Sequence, residues 1–160
     1  LKRVAVLDVL VLAGLFVLRL AAGGAASDPR PLALVLLMVL WQVPHYWLLA
    51  LPERDELKKL GFKTLPPGLS PGRLLTLSHF WILAIVSCSL LLPLLHLLRL
   101  PLLQGVLAGL ALVFAGWTTR LRGKALFPEK TARTLRIGLH LYLGSTLLLL
   151  LLDGLLLRFT

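Results

Sequence analysis

The feature that most constrains this chain is a series of apolar runs that are long enough to cross a lipid bilayer. The clearest lies at 147–152, where six leucines follow one another inside a longer apolar stretch. A membrane-spanning helix needs about 20 mainly apolar residues. Five stretches meet that requirement, at about 4–22, 31–51, 74–97, 100–117 and 135–157. Backbone groups in lipid must be hydrogen-bonded within the chain, and these runs are too long for barrel strands. The sequence therefore predicts an all-α, polytopic membrane helix bundle with five transmembrane helices.

The composition excludes two other classes of protein. The chain of 160 residues is 58% hydrophobic and 15% charged, whereas a disordered chain has few apolar residues and a soluble domain is only about 45–50% apolar. The net charge of +10 would suit nucleic-acid binding, but the apolar runs do not, so we expect no nucleic-acid partner. Cys88 is the only cysteine, which excludes an intrachain disulfide.

The basic residues divide unequally between the two sides of the predicted bundle. With five crossings, 13 of the 17 fall on one side. These are Lys2, Arg3, Arg54, Lys58, Lys59, Lys63, Arg73, Arg120, Arg122, Lys124, Lys130, Arg133 and Arg136. Because basic connections stay in the cytoplasm, we expect this side and the N-terminus inside, and the C-terminus outside. The predicted cytoplasmic connections are 52–73 and 118–134.

The second predicted helix ends in an unusual polar and aromatic segment. Residues 41–47 read Trp-Gln-Val-Pro-His-Tyr-Trp. Pro44 lacks the N–H that a helix interior needs, so we expect a kink there. Trp41 and His45 are four residues apart and share a face. An aromatic belt at the membrane surface would explain the tryptophans and the tyrosine, but it would not explain Gln42 and His45. The segment therefore favours a binding pocket.

Acidic residues follow this segment on the otherwise basic side. Glu53, Asp55 and Glu56 are three of the seven acids in the chain. A solvated turn with local ion pairs is one interpretation. Carboxylates also hold Mg²⁺, usually one or two of them together with substrate phosphates. Lys2 and Arg3, at the start of the first helix, would favour an anion. Together these residues indicate phosphoryl or prenyl transfer on a phosphorylated apolar substrate.

The motifs resemble those of one enzyme family. Trp41-Gln42-Val43-Pro44-His45-Tyr46, a charged connection and then Gly61-Phe62-Lys63-Thr64-Leu65-Pro66 are similar to the protoheme IX farnesyltransferases (heme O synthases). Those enzymes belong to the UbiA-type intramembrane prenyltransferases. Leu1-Lys2-Arg3 looks like the start of the family's fifth helix. Leu121-Arg122-Gly123 and Ala132-Arg133-Thr134-Leu135 resemble the stretch before its ninth helix.

The resemblance implies an architecture and a location. The family has nine helices, with the active site facing the cytoplasm and the C-terminus outside, so residues 1–160 would be helices five to nine. Helices one to four would carry the first Asp-rich motif, which binds Mg²⁺ and prenyl diphosphate. That motif is absent from this chain. We therefore expect the chain to need those missing N-terminal helices and to be inactive alone, and we expect it in a bacterial inner membrane.

The resemblance also implies substrates and residue roles. The substrates would be farnesyl diphosphate and protoheme IX, and Mg²⁺ would accompany the diphosphate. Mg²⁺ and protein cations would stabilise the leaving diphosphate while an allylic, carbocation-like farnesyl group forms and the heme vinyl group attacks it. The diphosphate would contact Lys2, Arg3 and Arg54. Asp55 and Glu56 would be the catalytic, metal-holding acids. The acceptor pocket would be lined by Trp41, Gln42 and His45.

Two departures from the family pattern keep alternatives open. The second acidic motif usually ends in Asp-Tyr, but this chain has Glu56-Leu57, so Asp55 and Glu56 compete for the metal-binding role. The first helix also lacks the Gly- and Pro-rich pattern expected of heme O synthases. The acceptor could then be an aromatic quinone precursor or a sugar lipid. A non-catalytic membrane assembly protein is a third possibility.

Overall fold

The structure, a computed structural model, describes residues 11, 14, 15, 18, 29–59, 69–123 and 128–159. In this part of the chain the regular elements are all helices, joined by short turns. The helices are α1 (Pro29–Ala50), α2 (Arg54–Lys59), α3 (Pro71–Ser89), α4 (Leu91–Leu94), α5 (Pro101–Gly123) and α6 (Pro128–Phe159). The predicted all-α fold is confirmed. Of the first predicted helix, at 4–22, only the four isolated residues are described, and each is helical; the rest lies outside the described residues.

Within the described residues, four segments are long and apolar enough to cross a membrane: Arg30–Ala50, Pro71–Leu94, Pro101–Leu121 and Pro128–Arg158. Large apolar side chains point away from the bundle, as at Leu102 (79% exposed) and Leu112 (75% exposed). Such exposure costs nothing in a bilayer, because lipid tails are as apolar as leucine. The chain is therefore an integral, multi-pass membrane protein.

Each of the four long helices begins at a proline, at Pro29, Pro71, Pro101 and Pro128. Proline suits the first helical position because the missing N–H has no intrahelical partner there in any case. At the start of α3 the Ser70 side chain also accepts a hydrogen bond from a backbone N–H of the first turn. This pairs a polar cap with the proline.

Two internal prolines have opposite effects. α1 continues through Pro44, where the predicted kink remains a prediction. The third predicted helix, at 74–97, is interrupted instead. α3 stops at Ser89, the residue whose carbonyl would clash with Pro93 in a continuous helix. The short α4 follows, and His96 then adopts a left-handed φ of 57°.

The two helices at the basic side are longer than the sequence analysis predicts. The connection expected at 118–134 is mostly helical, because α5 runs on to Gly123 and α6 already begins at Pro128. Hydropathy marks only the part of a helix that lies in hydrocarbon. Arg120 and Arg133 extend beyond it as exposed helical residues.

α3 is the central helix of the bundle and packs against α1, α5 and α6, while α6 also packs against α1 and α5. Fully buried leucine and isoleucine side chains fill the interior, as at Leu48, Ile82 and Leu139. Gly138 permits a close approach between α5 and α6, because a Cβ atom there would overlap the Trp117 ring. A larger residue at this position requires the Trp117 side chain to move.

We call the end of the bundle that carries α2 and the start of α6 the basic end, and the end that carries α4 and the start of α5 the opposite end. Polar groups at the opposite end are paired. The buried Asp153 carboxylate of α6 accepts hydrogen bonds from the backbone N–H groups of Arg99 (3.0 Å) and Leu100 (2.8 Å), just before α5. Nearer the middle, the Ser89 and Tyr142 hydroxyls form a buried hydrogen bond of 2.5 Å between α3 and α6.

Candidate functional site

Three aromatic rings from two helices form a cluster at the basic end, on its side nearer to the middle of the helices. Trp41 and His45 of α1 stack at 4.6 Å between ring centroids, with 19° between their planes. His140 of α6 meets both rings edge to face, at 5.5 Å from Trp41 and 4.8 Å from His45. We call Trp41, His45 and His140 the ring cluster. The predicted shared face of Trp41 and His45 is present, and α6 adds a second imidazole to it.

The backbone of α6 fixes the tautomer of His140. Its Nδ1 lies 2.6 Å from the Arg136 carbonyl oxygen. A carbonyl can only accept, so Nδ1 must carry the proton and donate. In the neutral ring, Nε2 then keeps a lone pair. Because His140 is exposed, this lone pair is accessible to a ligand.

The other two members of the ring cluster hold polar atoms without partners. Trp41 Nε1 and His45 Nδ1 are both inaccessible to solvent and make no hydrogen bond. The Ser78 hydroxyl, on α3 in the same half of the bundle, shares this condition. Most buried polar atoms in native proteins are paired. Two of the exceptions here belong to Trp41 and His45, which the sequence predicts to line an acceptor pocket.

A charged pocket lies at the basic end, towards the membrane surface. It has a volume of about 360 Å³, and α2 and the start of α6 contribute its charged residues. Its lining comprises Leu51, Pro52, Arg54, Asp55, Pro71, Pro128, Glu129 and Lys130. We call this the charged pocket. Two basic and two acidic side chains in one cavity can bind an anion together with a cation.

The donor set of the charged pocket fits Mg²⁺. Asp55 and Glu129 supply carboxylates, and Mg²⁺ takes one or two of these together with substrate phosphates. In the part of the chain that the structure describes, no three His, Cys, Asp or Glu side chains are grouped to hold a metal. A metal in this pocket would therefore complete its coordination with substrate oxygens.

The predicted site residues divide into three groups. Arg54 and Asp55 lie in the charged pocket, whereas Glu56 is exposed and does not line it. Gln42 is half-buried, one residue on from Trp41 and so about 100° around the helix. Two further predicted site residues, Lys2 and Arg3, lie outside the described residues. The same is true of the 61–66 motif.

Sequence reasoning missed two members of these sites. Neither His140 nor Glu129 was among the predicted site residues. Both are far from 41–56 in sequence, so no spacing rule connects them with it. The sequence did contain one signal. His140 and His45 both lie about the same distance into their apolar stretches from the basic end.

Comparison with known proteins gives the same family as the sequence motifs. The UbiA prenyltransferase family model matches residues 1–134. Curated relatives include the protoheme IX farnesyltransferases of Geobacter sulfurreducens, 39% identical over 74 residues, and of Nitratidesulfovibrio vulgaris (strain DP4), 33% identical over 103 residues. These matches cover 45% and 60% of the chain but only 27% and 34% of the relatives.

The protoheme IX farnesyltransferase of Aquifex aeolicus is 47% identical over 45 residues, which are 28% of the chain and 15% of the relative. No solved structure matches the chain significantly. The family model, by contrast, covers well over half of the chain. The helical bundle, its membrane spans and this match lead to one conclusion: the chain belongs to the UbiA prenyltransferase family.

Proposed function

We propose that this chain is part of an enzyme that transfers the farnesyl group of farnesyl diphosphate to protoheme IX, giving heme O. The observation that carries the proposal is the position of the ring cluster relative to the charged pocket. Both contain residues of α1–α2 and of α6, and the cluster is the deeper of the two. A polar site at the surface and an aromatic site below it suit a diphosphate and a flat, apolar acceptor.

The spacing along α6 gives the scale of this arrangement. Lys130 lines the charged pocket and His140 belongs to the ring cluster. Ten residues of helix separate them, which is about 15 Å. A diphosphate in the charged pocket and a porphyrin against the ring cluster would therefore be bound at opposite ends of this stretch of α6.

The chain's own residues would supply positioning and electrostatics. Arg54 would neutralise the diphosphate, and Asp55, with Glu129, would hold the Mg²⁺ that UbiA prenyltransferases generally use with prenyl diphosphates. Mg²⁺ supplies stabilisation of the leaving group. Trp41 and His45 would form the wall of the acceptor pocket. Lys2 and Arg3 would add further diphosphate contacts.

The proposal concerns the intact protein, because the relatives' names describe proteins of which this chain covers about a third or less. Helices one to four would supply the other acidic motif. We place the basic end in the cytoplasm of a bacterial inner membrane, in line with the distribution of Lys and Arg. In a Cys88→Ala background, a cysteine at Lys59 should react with impermeant reagents only from the cytoplasmic side. Labelling from the periplasm would reverse this orientation.

The central test uses the intact protein in proteoliposomes with farnesyl diphosphate, protoheme IX and Mg²⁺. We expect heme O, detected by chromatography and mass spectrometry, and no product when EDTA replaces Mg²⁺. Aromatic carboxylic acids and sugar lipids, offered as competing acceptors, should remain unmodified. Transfer to one of those acceptors in place of protoheme would identify a different UbiA-type enzyme. Absence of any prenyl transfer would favour the assembly-protein alternative.

A further inference from the structure

We propose that His140 is an axial ligand to the iron of the porphyrin acceptor, with the stacked rings of Trp41 and His45 beside that porphyrin. The inference rests on the proposed function, because it takes protoheme IX as the acceptor. It adds a residue of the last helix, outside every motif that marks the family in this sequence. Three observations support it: the tautomer of His140, the exposure of its side chain and the two rings that it contacts.

The first step is the hydrogen bond within α6. Protein histidines that bind metals almost always donate their second ring N–H to a carbonyl, a carboxylate or water, which orients the ring and strengthens the ligating nitrogen. His140 has this arrangement, since its Nδ1 donates to the Arg136 carbonyl at 2.6 Å. Nε2 is thereby left as a Lewis base on an exposed side chain.

The second step concerns the number of ligands. A zinc site takes three or four protein ligands, and the described residues group no three His, Cys, Asp or Glu side chains for this purpose. A porphyrin itself supplies four nitrogens to its iron, so one protein histidine is enough. A single prepared imidazole therefore favours a metalloporphyrin over a free metal ion.

The third step is the surface next to that imidazole. The stacked rings of Trp41 and His45 meet His140 edge to face, which provides an aromatic wall beside the imidazole. Trp41 Nε1 and His45 Nδ1 are buried without partners. Both atoms are covered by the protein itself, so they do not compete with Nε2 of His140 for a ligand.

The test is titration of the intact, detergent-solubilised protein with ferric protoheme IX, and separately with metal-free protoporphyrin IX. Wild-type protein should give absorption and electron-paramagnetic-resonance spectra of histidine-ligated iron. His140→Ala should lose these spectra and bind ferric protoheme about tenfold more weakly or worse, because even the loss of an outer-shell partner costs about tenfold. Binding of metal-free protoporphyrin should be unchanged. Added imidazole should restore the spectra in His140→Gly.

Two control variants make the test specific. His96→Asn removes an exposed histidine at the opposite end, and asparagine tolerates the left-handed φ there, so its spectra should match wild type. His45→Phe keeps a ring beside Trp41 and removes the other imidazole of the ring cluster, so that comparison with His140→Ala shows which imidazole binds the iron. Loss of the signal in His45→Phe with retention in His140→Ala would overturn the assignment, as would equal loss of both porphyrins in His140→Ala.

The inference and the proposed function can fail separately. Heme O formation by the wild type, combined with an unchanged iron spectrum in His140→Ala, would remove the ligand and leave the function. A His140-dependent spectrum in a protein that makes no heme O would support the ligand and remove the function. A wild-type protein that shows no histidine-ligated iron overturns the inference directly.

Discussion

The two ends of the bundle treat buried polar groups in opposite ways. At the opposite end, Asp153 satisfies two backbone N–H groups, and nearer the middle the Ser89 hydroxyl is bonded to Tyr142. At the basic end, Trp41 Nε1 and His45 Nδ1 are buried without partners. A buried, paired polar group stabilises the fold, whereas a buried polar atom without a partner costs stability. The difference indicates that the opposite end is organised for stability and the basic end for binding.

The largest expected effect is at the ring cluster. His45→Ala should abolish heme O formation in the intact protein, because it removes a wall of the acceptor pocket. The protein should still insert into the membrane and remain folded, since His45 carries an unsatisfied nitrogen. Product analysis and thermal unfolding in detergent check both parts. Normal heme O output from this variant would contradict the proposal that the ring cluster binds the acceptor.

The second prediction separates the two acids that compete in the sequence. Asp55→Asn should lower farnesyl transfer on the order of a hundredfold, because it weakens electrostatic stabilisation at the leaving diphosphate. Glu56→Gln is the matched control and should have the smaller effect, since both acids are exposed but only Asp55 lines the charged pocket. Rates measured against Mg²⁺ concentration check it. The reverse order of effects would assign the metal to Glu56.

The third prediction tests stability at the opposite end. Asp153→Ala should lower the free energy of unfolding by about 2 kcal/mol, because two backbone N–H groups before α5 lose their acceptor. Asp153→Asn keeps one acceptor oxygen and should lose less. Denaturant unfolding in mixed micelles measures both variants, while their heme O output per folded molecule should match wild type. A stable Asp153→Ala protein without activity would break the contrast between the ends.

The fourth prediction concerns the hydrogen bond between α3 and α6. Tyr142→Phe keeps the ring stacked on Phe114 at 4.6 Å and loses the hydroxyl with its bond to Ser89. It should cost about 1 kcal/mol of unfolding free energy. Ser89→Ala should cost a similar amount, and the double variant less than the sum, because both remove one interaction. Additive costs would show that the two hydroxyls act independently.

The smallest expected effect is a gain in stability. His96 occupies a left-handed φ of 57° after α4. The N–H of Leu97 bonds to the carbonyl of Leu92 and the N–H of His96 to that of Pro93, which is a Schellman ending that glycine suits best. His96→Gly should therefore raise the free energy of unfolding by up to about 1 kcal/mol. His96→Val, with a branched Cβ, should lower it in the same unfolding measurement.

The family and the all-α class were predictable because they depend on local information. Length and apolarity alone identify a spanning helix, and the motif at 41–46 is contiguous. The ends of helices were less predictable, since α5 and α6 continue as exposed basic turns that hydropathy does not mark. The effect of an internal proline was also hard to predict. Pro44 lies within a continuous helix, whereas Pro93 follows a break, and the sequence around each proline does not distinguish the two outcomes.

The sequence by itself determined that this protein crosses a membrane as a helical bundle, because lipid imposes that solution on any chain with such apolar runs. It also placed Trp41 and His45 on one face, since helical periodicity is local. Only the tertiary structure brought His140 to those rings and Glu129 to the pocket that Asp55 lines. His45 and His140 are 95 positions apart in the chain, and Asp55 and Glu129 are 74 apart. Helical periodicity cannot connect residues at such separations, whereas the packing of α6 against α1 brings the two histidines together.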